Sequence, residues 1–187
     1  MDLTKSKTVF ALLGWLSASP MSGYDLKKQT ERYIGNFWYG SFGQIYPLLH
    51  QMHEEELVTV REEKSKGRPA KKVYTITDSG RDMLTQWLAE PSEPDLFRSE
   101  LMLKVFFGSL CKPIVLQNMI LALREQSNNL LSHYDSIEEE VLKKFEGSPQ
   151  HPYLKITLDR GKIIQKGYVE WADNTLKTLL QLEAEEK

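Results

Sequence analysis

Residues 67–80 read "GRPAKKVYTITDSG". Tyr74 and Ile76 alternate with Val73 and Thr75, the period of a half-buried strand. Thr77 then stands where a helix cap belongs, ahead of Leu84, Trp87 and Leu88 as inward residues and a stop at "EPSEP" with its two prolines. Just upstream, "LVTVRE" alternates Val58 and Val60 with Thr59 and Arg61. The stretch between the two runs holds Gly67 and Pro69 and predicts a hairpin tip wider than a two-residue turn. Residues 64–72 carry five cations and no anion, so positive charge gathers at that tip.

Before this hairpin the period is helical. Ile45, Leu48, Leu49 and Met52 fall at i, i+3, i+4, i+7, a buried stripe. Ser41 and Gln44 ahead of it have the spacing of a capping box. Pro47 removes a backbone bond to the carbonyl of Gly43, which predicts a distorted first turn or a later start. An earlier helix opens at Ser22, placed to accept from the backbone N–H of Asp25, with Leu26, Thr30, Tyr33 and Ile34 inward. A first helix over 4–17 carries Val9, Leu12, Leu13 and Leu16 on one stripe. Lys5 and Lys7 ahead of "VFALLGWL" imitate a signal peptide. The stripe, and the capped helix that follows at once, argue against that reading. The order helix, helix, helix, hairpin, helix is that of a winged helix-turn-helix.

Downstream, residues 96–110 predict a connecting helix, and "CKP" resets the chain. Positions 116, 120, 123, 127, 130, 134, 137 and 141 then keep a 4-3 spacing of mostly apolar residues, a coiled-coil type of seam. "EGSPQHP" ends it, and a last helix runs over 153–182. The fold class expected is mainly α with a small β-hairpin. An N-terminal winged helix-turn-helix would occupy residues 1–90, and a long-helix, coiled-coil-like dimerisation domain, also able to sense an effector, residues 91–187. Leu123, Leu130, Tyr134, Ile137 and Val141 on one long helix, with Tyr168, Trp171, Leu179 and Leu182 on the other, exceed what a two-helix hairpin covers and predict a homodimer.

Composition narrows the function classes. The chain has 187 residues, 41% of them hydrophobic, and 24 Lys/Arg against 26 Asp/Glu, a net charge of −2. Bulk charge therefore does not mark a nucleic-acid binder; its local distribution does. Cys111 is the one cysteine, which excludes an intrachain disulfide and fits a reducing compartment. No apolar run reaches the roughly 18 residues that span a bilayer, and a cytoplasmic location is expected, with no membrane partner.

At the hairpin tip, Lys66, Arg68, Lys71 and Lys72 are candidates for phosphate contacts, the simpler alternative being a solvated loop. On the third helix Ser41, Gln44, Tyr46 and His50 lie off the buried stripe and are candidates to reach base edges in the major groove. Gln44 matches the N6 and N7 edge of adenine, in competition with a capping role. Tyr24, Lys27 and Lys28 on the second helix are phosphate candidates. His50 and His53, at i, i+3, lack a further Cys/His cluster and read as a polar helix face, so no metal is expected. Phe37, Trp38, Tyr39 and Phe42 form an aromatic cluster at a domain edge. No nucleophile elbow or phosphate-cradling glycine loop is present, so no catalytic residue and no cofactor are expected.

The stretches "SGYDLKK", "NFWYGSFGQIYPLLHQMHEEELV", "GRPAKKVYTITDSGRDMLTQWL" and "YVEWADNTLKTL" together resemble the PadR family of bacterial transcriptional regulators, in particular its longer members. The resemblance covers nearly the whole chain. It implies a winged-helix domain joined to a helical dimerisation domain, a homodimer on double-stranded DNA with a palindromic operator, and repression relieved by a small aromatic or phenolic ligand. For such a ligand Trp38, Arg124, His151 and Tyr168 are the candidate effector-binding residues, since a planar aromatic acid needs ring faces and a cation. The chain departs from the family at Glu56, which stands where a glycine would end the third helix. The alternative function is a helical protein-interaction adaptor whose winged helix binds protein.

Overall fold

The structure, a computed structural model, describes residues 3–35, 37–38, 44–63, 71–94 and 98–185. Its contacts divide it into two units, Met1–Pro94 and Asp95–Lys187.

The first unit is built on a helical stripe. In α1, Lys7–Ala18, the residues Val9, Leu12, Leu13 and Leu16 are all fully buried, and Phe10 stacks face to face on Trp87 with ring centroids 4.5 Å apart. Helix α2, Gly23–Tyr33, starts on the expected cap: Ser22 Oγ accepts from the Asp25 N–H at 3.2 Å. Leu26, Thr30 and Tyr33 turn inward, whereas Ile34 is only half-buried, being the residue that ends the helix.

Helix α3, Ile45–Glu54, buries Ile45, Leu48, Leu49 and Met52. It starts later than the Ser41–Gln44 box requires. Gln44 is itself the residue before the helix, and its side chain makes no cap bond. Pro47 thereby falls in the first turn, where a missing N–H costs nothing because no intrahelical acceptor exists. Ser41 lies outside the described residues.

At the other end of α3 the departure at Glu56 is accommodated. Glu56 has φ 55°, in the left-handed region. Its N–H donates to His53 O at 3.1 Å and the Leu57 N–H to Met52 O at 2.9 Å, the two bonds of a Schellman ending. A non-glycine residue thus fills the glycine position and takes its backbone conformation.

Strands β2, Val58–Glu63, and β3, Lys71–Ile76, pair antiparallel from Val58↔Ile76 to Glu63↔Lys71. A third strand, β1, Met21–Ser22, pairs with β3 through Met21↔Tyr74 and Ser22↔Val73, giving the order β1-β3-β2. Two residues are too few to show a period, so β1 left no sequence signal. Helix α4, Asp78–Ala89, is capped by Thr77, whose Oγ1 accepts from the Gly80 N–H at 3.0 Å. A Cβ at Gly80 would stand 2.3 Å from the carbonyl oxygen of Leu57, so this helix start needs glycine to approach the turn after α3. Leu84 is buried and Trp87 half-buried, but Leu88, expected inward, is 68% exposed. The apolar arc of α4 runs through Gly80, Met83, Leu84 and Trp87 and leaves Leu88 beyond its edge.

The second unit holds α5, Glu100–Phe106, then a short 3-10 turn at Gly108–Leu110, and two long helices, α6, Pro113–Lys144, and α7, His151–Glu185. Helices α6 and α7 form an antiparallel hairpin. Gln117 Nε2 donates to Glu183 at 3.1 Å near one end. Toward the other, Lys162 Nζ meets Asp135 at 2.7 Å and Glu138 at 2.5 Å. Leu116, Ile120, Ser127, Tyr134 and Ile137 of the seam are buried, and Leu158, Ala172 and Leu179 are the buried residues of α7.

Most of the residues expected to carry the dimer are at least partly covered within the chain. Tyr134 and Ile137 are 5% and 2% exposed, and Leu179 is also buried, within one chain. Leu123, Leu130, Tyr168 and Trp171 are half-buried, Leu182 is exposed, and the Val141 side chain lies outside the described ones. The 4-3 seam is therefore filled largely in cis, because an antiparallel neighbour satisfies the same periodicity as a second chain does. Apolar surface remains elsewhere. Leu103, Phe106, Phe107 and Leu110 are exposed, Phe106 at 81% and Leu110 at 84%.

Candidate nucleic-acid interface

The inner stripe of α3 fixes which residues face out. With Ile45, Leu48, Leu49 and Met52 buried, Gln44, Tyr46 and His50 are exposed on the outer side of the helix start. Helix α2 crosses close to this point. A Cβ at Gly23 would lie 2.7 Å from Tyr46 Cε1 and 3.3 Å from Leu49 Cδ1, so glycine there lets the first turn of α2 rest on α3. Tyr24 and Lys28 are exposed on α2, and Lys27 forms an i,i+4 pair with Glu31 at 3.7 Å. The end of α3 is acidic and internally paired: His50 Nδ1 meets Glu54 at 3.4 Å, and Gln51 Nε2 donates to Glu55 at 3.3 Å. His53 turns away from His50, its Nδ1 lying 3.1 Å from Val58 O across the turn into β2.

The sheet carries the second basic element. Lys66 and Arg68 fall in 64–70, outside the described residues, and so do Tyr39 and Phe42 of the aromatic cluster. At the base of the hairpin, Lys72 is exposed opposite Glu62, and Arg61 Nη2 pairs with Glu63 at 2.7 Å. Lys71, expected on DNA, is paired within the chain: its Nζ lies 2.8 Å from Asp25 Oδ2. The same oxygen accepts from Ser22 Oγ at 2.7 Å. Lys71 first, and then Ser22, hold the Asp25 carboxyl below the usual carboxylate range. Burial, and after it the neighbouring Tyr46, pushes the Tyr74 phenol up.

The effector candidates do not converge in the second unit. Arg124 Nε stands 2.7 Å from Asp173 Oδ1, at ion-pair distance without hydrogen-bond alignment. His151 begins α7, roughly six helical turns from Asp173, on the order of 30 Å, with Tyr168 between them. Trp38 belongs to the first unit, its N–H donating to Ile34 O at 2.8 Å.

Two family models match successive parts of the chain: the transcriptional regulator PadR-like family over residues 12–86 and the virulence activator alpha C-term over residues 97–179. A probable transcriptional regulator of Mycobacterium tuberculosis is 31% identical over 183 residues, covering 90% of this chain and 95% of its own. The chain belongs to the PadR-like family of transcriptional regulators.

Among solved structures, Bacillus subtilis PadR in complex with operator DNA matches with a TM-score of 0.81 at 27% identity, covering 93% of this chain and 99% of that one. The same protein in complex with p-coumaric acid matches with a TM-score of 0.74 at 28% identity, covering 91% and 94%. Like its PadR-type relatives, the chain is a sequence-specific DNA-binding regulator and not an enzyme. The fold expected from the sequence, a winged helix-turn-helix followed by long helices, is the fold observed. Sequence reasoning missed Asp25 as the partner of Lys71. The Ser22–Asp25 spacing marks a cap, and nothing local points across 46 residues to the wing.

Proposed function

We propose that the protein is a homodimeric repressor that binds an inverted-repeat operator, with α3 in the major groove and the β2–β3 hairpin as a wing on the phosphates. The observation that carries this is the exposed cluster of Gln44, Tyr46 and His50 at the start of a helix whose other face is wholly core. In this docking the first turns of the second helix meet base edges. Ser41 adds to that set, Tyr24, Lys27 and Lys28 contact the backbone from α2, and Lys66, Arg68 and Lys72 contact it from the wing. Repression as the sign of regulation is supported by a 28% identical relative, the negative transcriptional regulator PadR of Bacillus subtilis. The chain works in the cytoplasm, where the chromosome is.

Dimerisation draws on the apolar surface that the hairpin leaves uncovered, Leu103, Phe106, Phe107 and Leu110 above all. Two-fold symmetry then places two recognition helices about 34 Å apart, one turn of DNA or a multiple of it. A footprint of the purified protein across its own upstream region tests the reading. Two protected half-sites related by a dyad are expected, and protection of one unrepeated half-site would overturn it.

The effector class is a planar phenolic acid, supported by the p-coumaric acid complex of the Bacillus subtilis relative. Addition of p-coumaric acid should release the protein from its footprint and change its tryptophan fluorescence. No change at millimolar ligand would remove this class.

A further inference from the structure

We propose that Asp25 is a positioning residue for DNA binding: its carboxylate fills a phosphate seat at the base of the wing and holds Lys71 out of non-specific DNA contacts. The inference rests on the wing-contact reading above.

Two side-chain donors of the kind that hold phosphate meet at the start of α2. Lys71 Nζ and Ser22 Oγ both reach Asp25 Oδ2, at 2.8 and 2.7 Å. The helix N-terminus adds a partial positive charge, which favours an anion there. The β1–β3 pairing fixes this meeting point, because Ser22↔Val73 leaves Lys71 two residues along the same strand. Without Asp25 the arrangement would suit a phosphate oxygen. With it, the chain supplies its own anion.

The consequence lies in counterions. A lysine adds to the salt dependence of DNA binding by shifting an ion from the DNA's counterion atmosphere into solution when it meets a phosphate. Lys71 already has a carboxylate fixed beside it, so replacing that carboxylate by a phosphate leaves Asp25 unpaired near the DNA and gains little. The pair is partly exposed, with Lys71 at 51% and Asp25 at 40% side-chain accessibility, so a phosphate is not excluded by burial. Lys72, by contrast, stands opposite Glu62 in the strand register. Asp25 thus lowers the sequence-independent part of the affinity, and operator discrimination rises with it.

The test measures binding of the full-length protein to a random-sequence duplex between about 50 and about 200 mM salt, for the parent, Asp25→Asn, Lys71→Gln and the double variant. Asn keeps an oxygen for Ser22. Asp25→Asn should bind more tightly at low salt, with a slope steeper by about 0.9, a further three- to fourfold loss over that salt range. Lys71→Gln alone should leave the parent slope nearly unchanged, and in the Asn background should abolish the gain. A Lys71→Gln slope shallower by about 0.9 in the otherwise parental protein would overturn the inference. So would an Asp25→Asn gain that persists without Lys71, since that is general loss of negative charge. If Asp25→Asn melts early, the Lys71→Gln single variant decides on its own. A parent that ignores random DNA at every salt concentration would overturn the wing-contact reading and this inference together; one that binds leaves the reading standing whichever way the variants fall.

Discussion

The ring of Tyr134 on α6 lies against the backbone of α7 at Gly161: a Cβ there would stand 2.7 Å from Tyr134 Cζ and 3.0 Å from its hydroxyl oxygen. Tyr134 is buried, so its ring has little room to yield. Gly161→Ala sets a gain in helix propensity of about 1 kcal/mol against overpacking of about 1–3 kcal/mol, and should lower stability. Gly167, on the same helix with open space around its Cβ position, supplies the control. Gly167→Ala should raise the melting temperature. Equal shifts for the two variants would show that the close approach does not matter.

Glu56 offers a stabilising change. Its left-handed backbone costs roughly 1 kcal/mol or more for a residue with a Cβ, and both Schellman bonds are made by backbone groups that glycine retains. Glu56→Gly should therefore move the urea midpoint upward. Glu56→Ala should not, since alanine keeps the Cβ. A matching rise with alanine would assign the effect to charge.

Arg68→Ala with Lys72→Ala should weaken DNA binding about equally for all sequences and reduce the salt slope by about 2, near 0.9 per phosphate contact. The melting temperature should hold, because a hairpin end buries little. An unchanged salt slope would remove the wing from the interface.

Gln44 makes no cap bond, so its replacement tests base reading without a stability penalty. Gln44→Ala and Tyr46→Ala should each alter operator preference, with about 1–3 kcal/mol at stake for a good base contact. A selection over operator variants gives the readout. Affinity lost evenly at every base position would make both residues backbone contacts instead.

Two acidic variants separate the helical hairpin from the dimer. Ile137→Asp buries an unpaired charge between α6 and α7 and should unfold the second unit whatever the association state. Phe106→Asp with Leu110→Asp, at exposed positions, should leave the helical signal intact while light scattering shows a monomer with lost operator affinity. A double variant that remains dimeric would place the interface elsewhere.

Local signals carried the helix-turn-helix part of the fold. The stripe on α3, the Ser22 and Thr77 caps, and the change of period at Val58 and Lys71 each act between residues a few positions apart. A reader of the chain needs no tertiary knowledge to find them. Pro47 marked a distorted first turn or a later start, and α3 begins at Ile45, which leaves the proline in the first turn where it is tolerated. Leu88 failed because amphipathic spacing states which side of a helix is apolar but not how far its neighbour extends.

By itself, the sequence determined the order of the helices and the hairpin and the outward face of α3, which follow from periodicity, caps and local chemistry, and its motifs carried the resemblance to the family. Only the tertiary structure decided what the long-range partners are. It paired Lys71 with Asp25 across the sheet, closed the α6 seam onto α7 and added β1 to the edge of the hairpin. The physical reason is that a heptad stripe records only that apolar surface must be buried, and a lysine only that it seeks an anion. Which surface and which anion they meet is fixed when distant segments are brought together by the packed core.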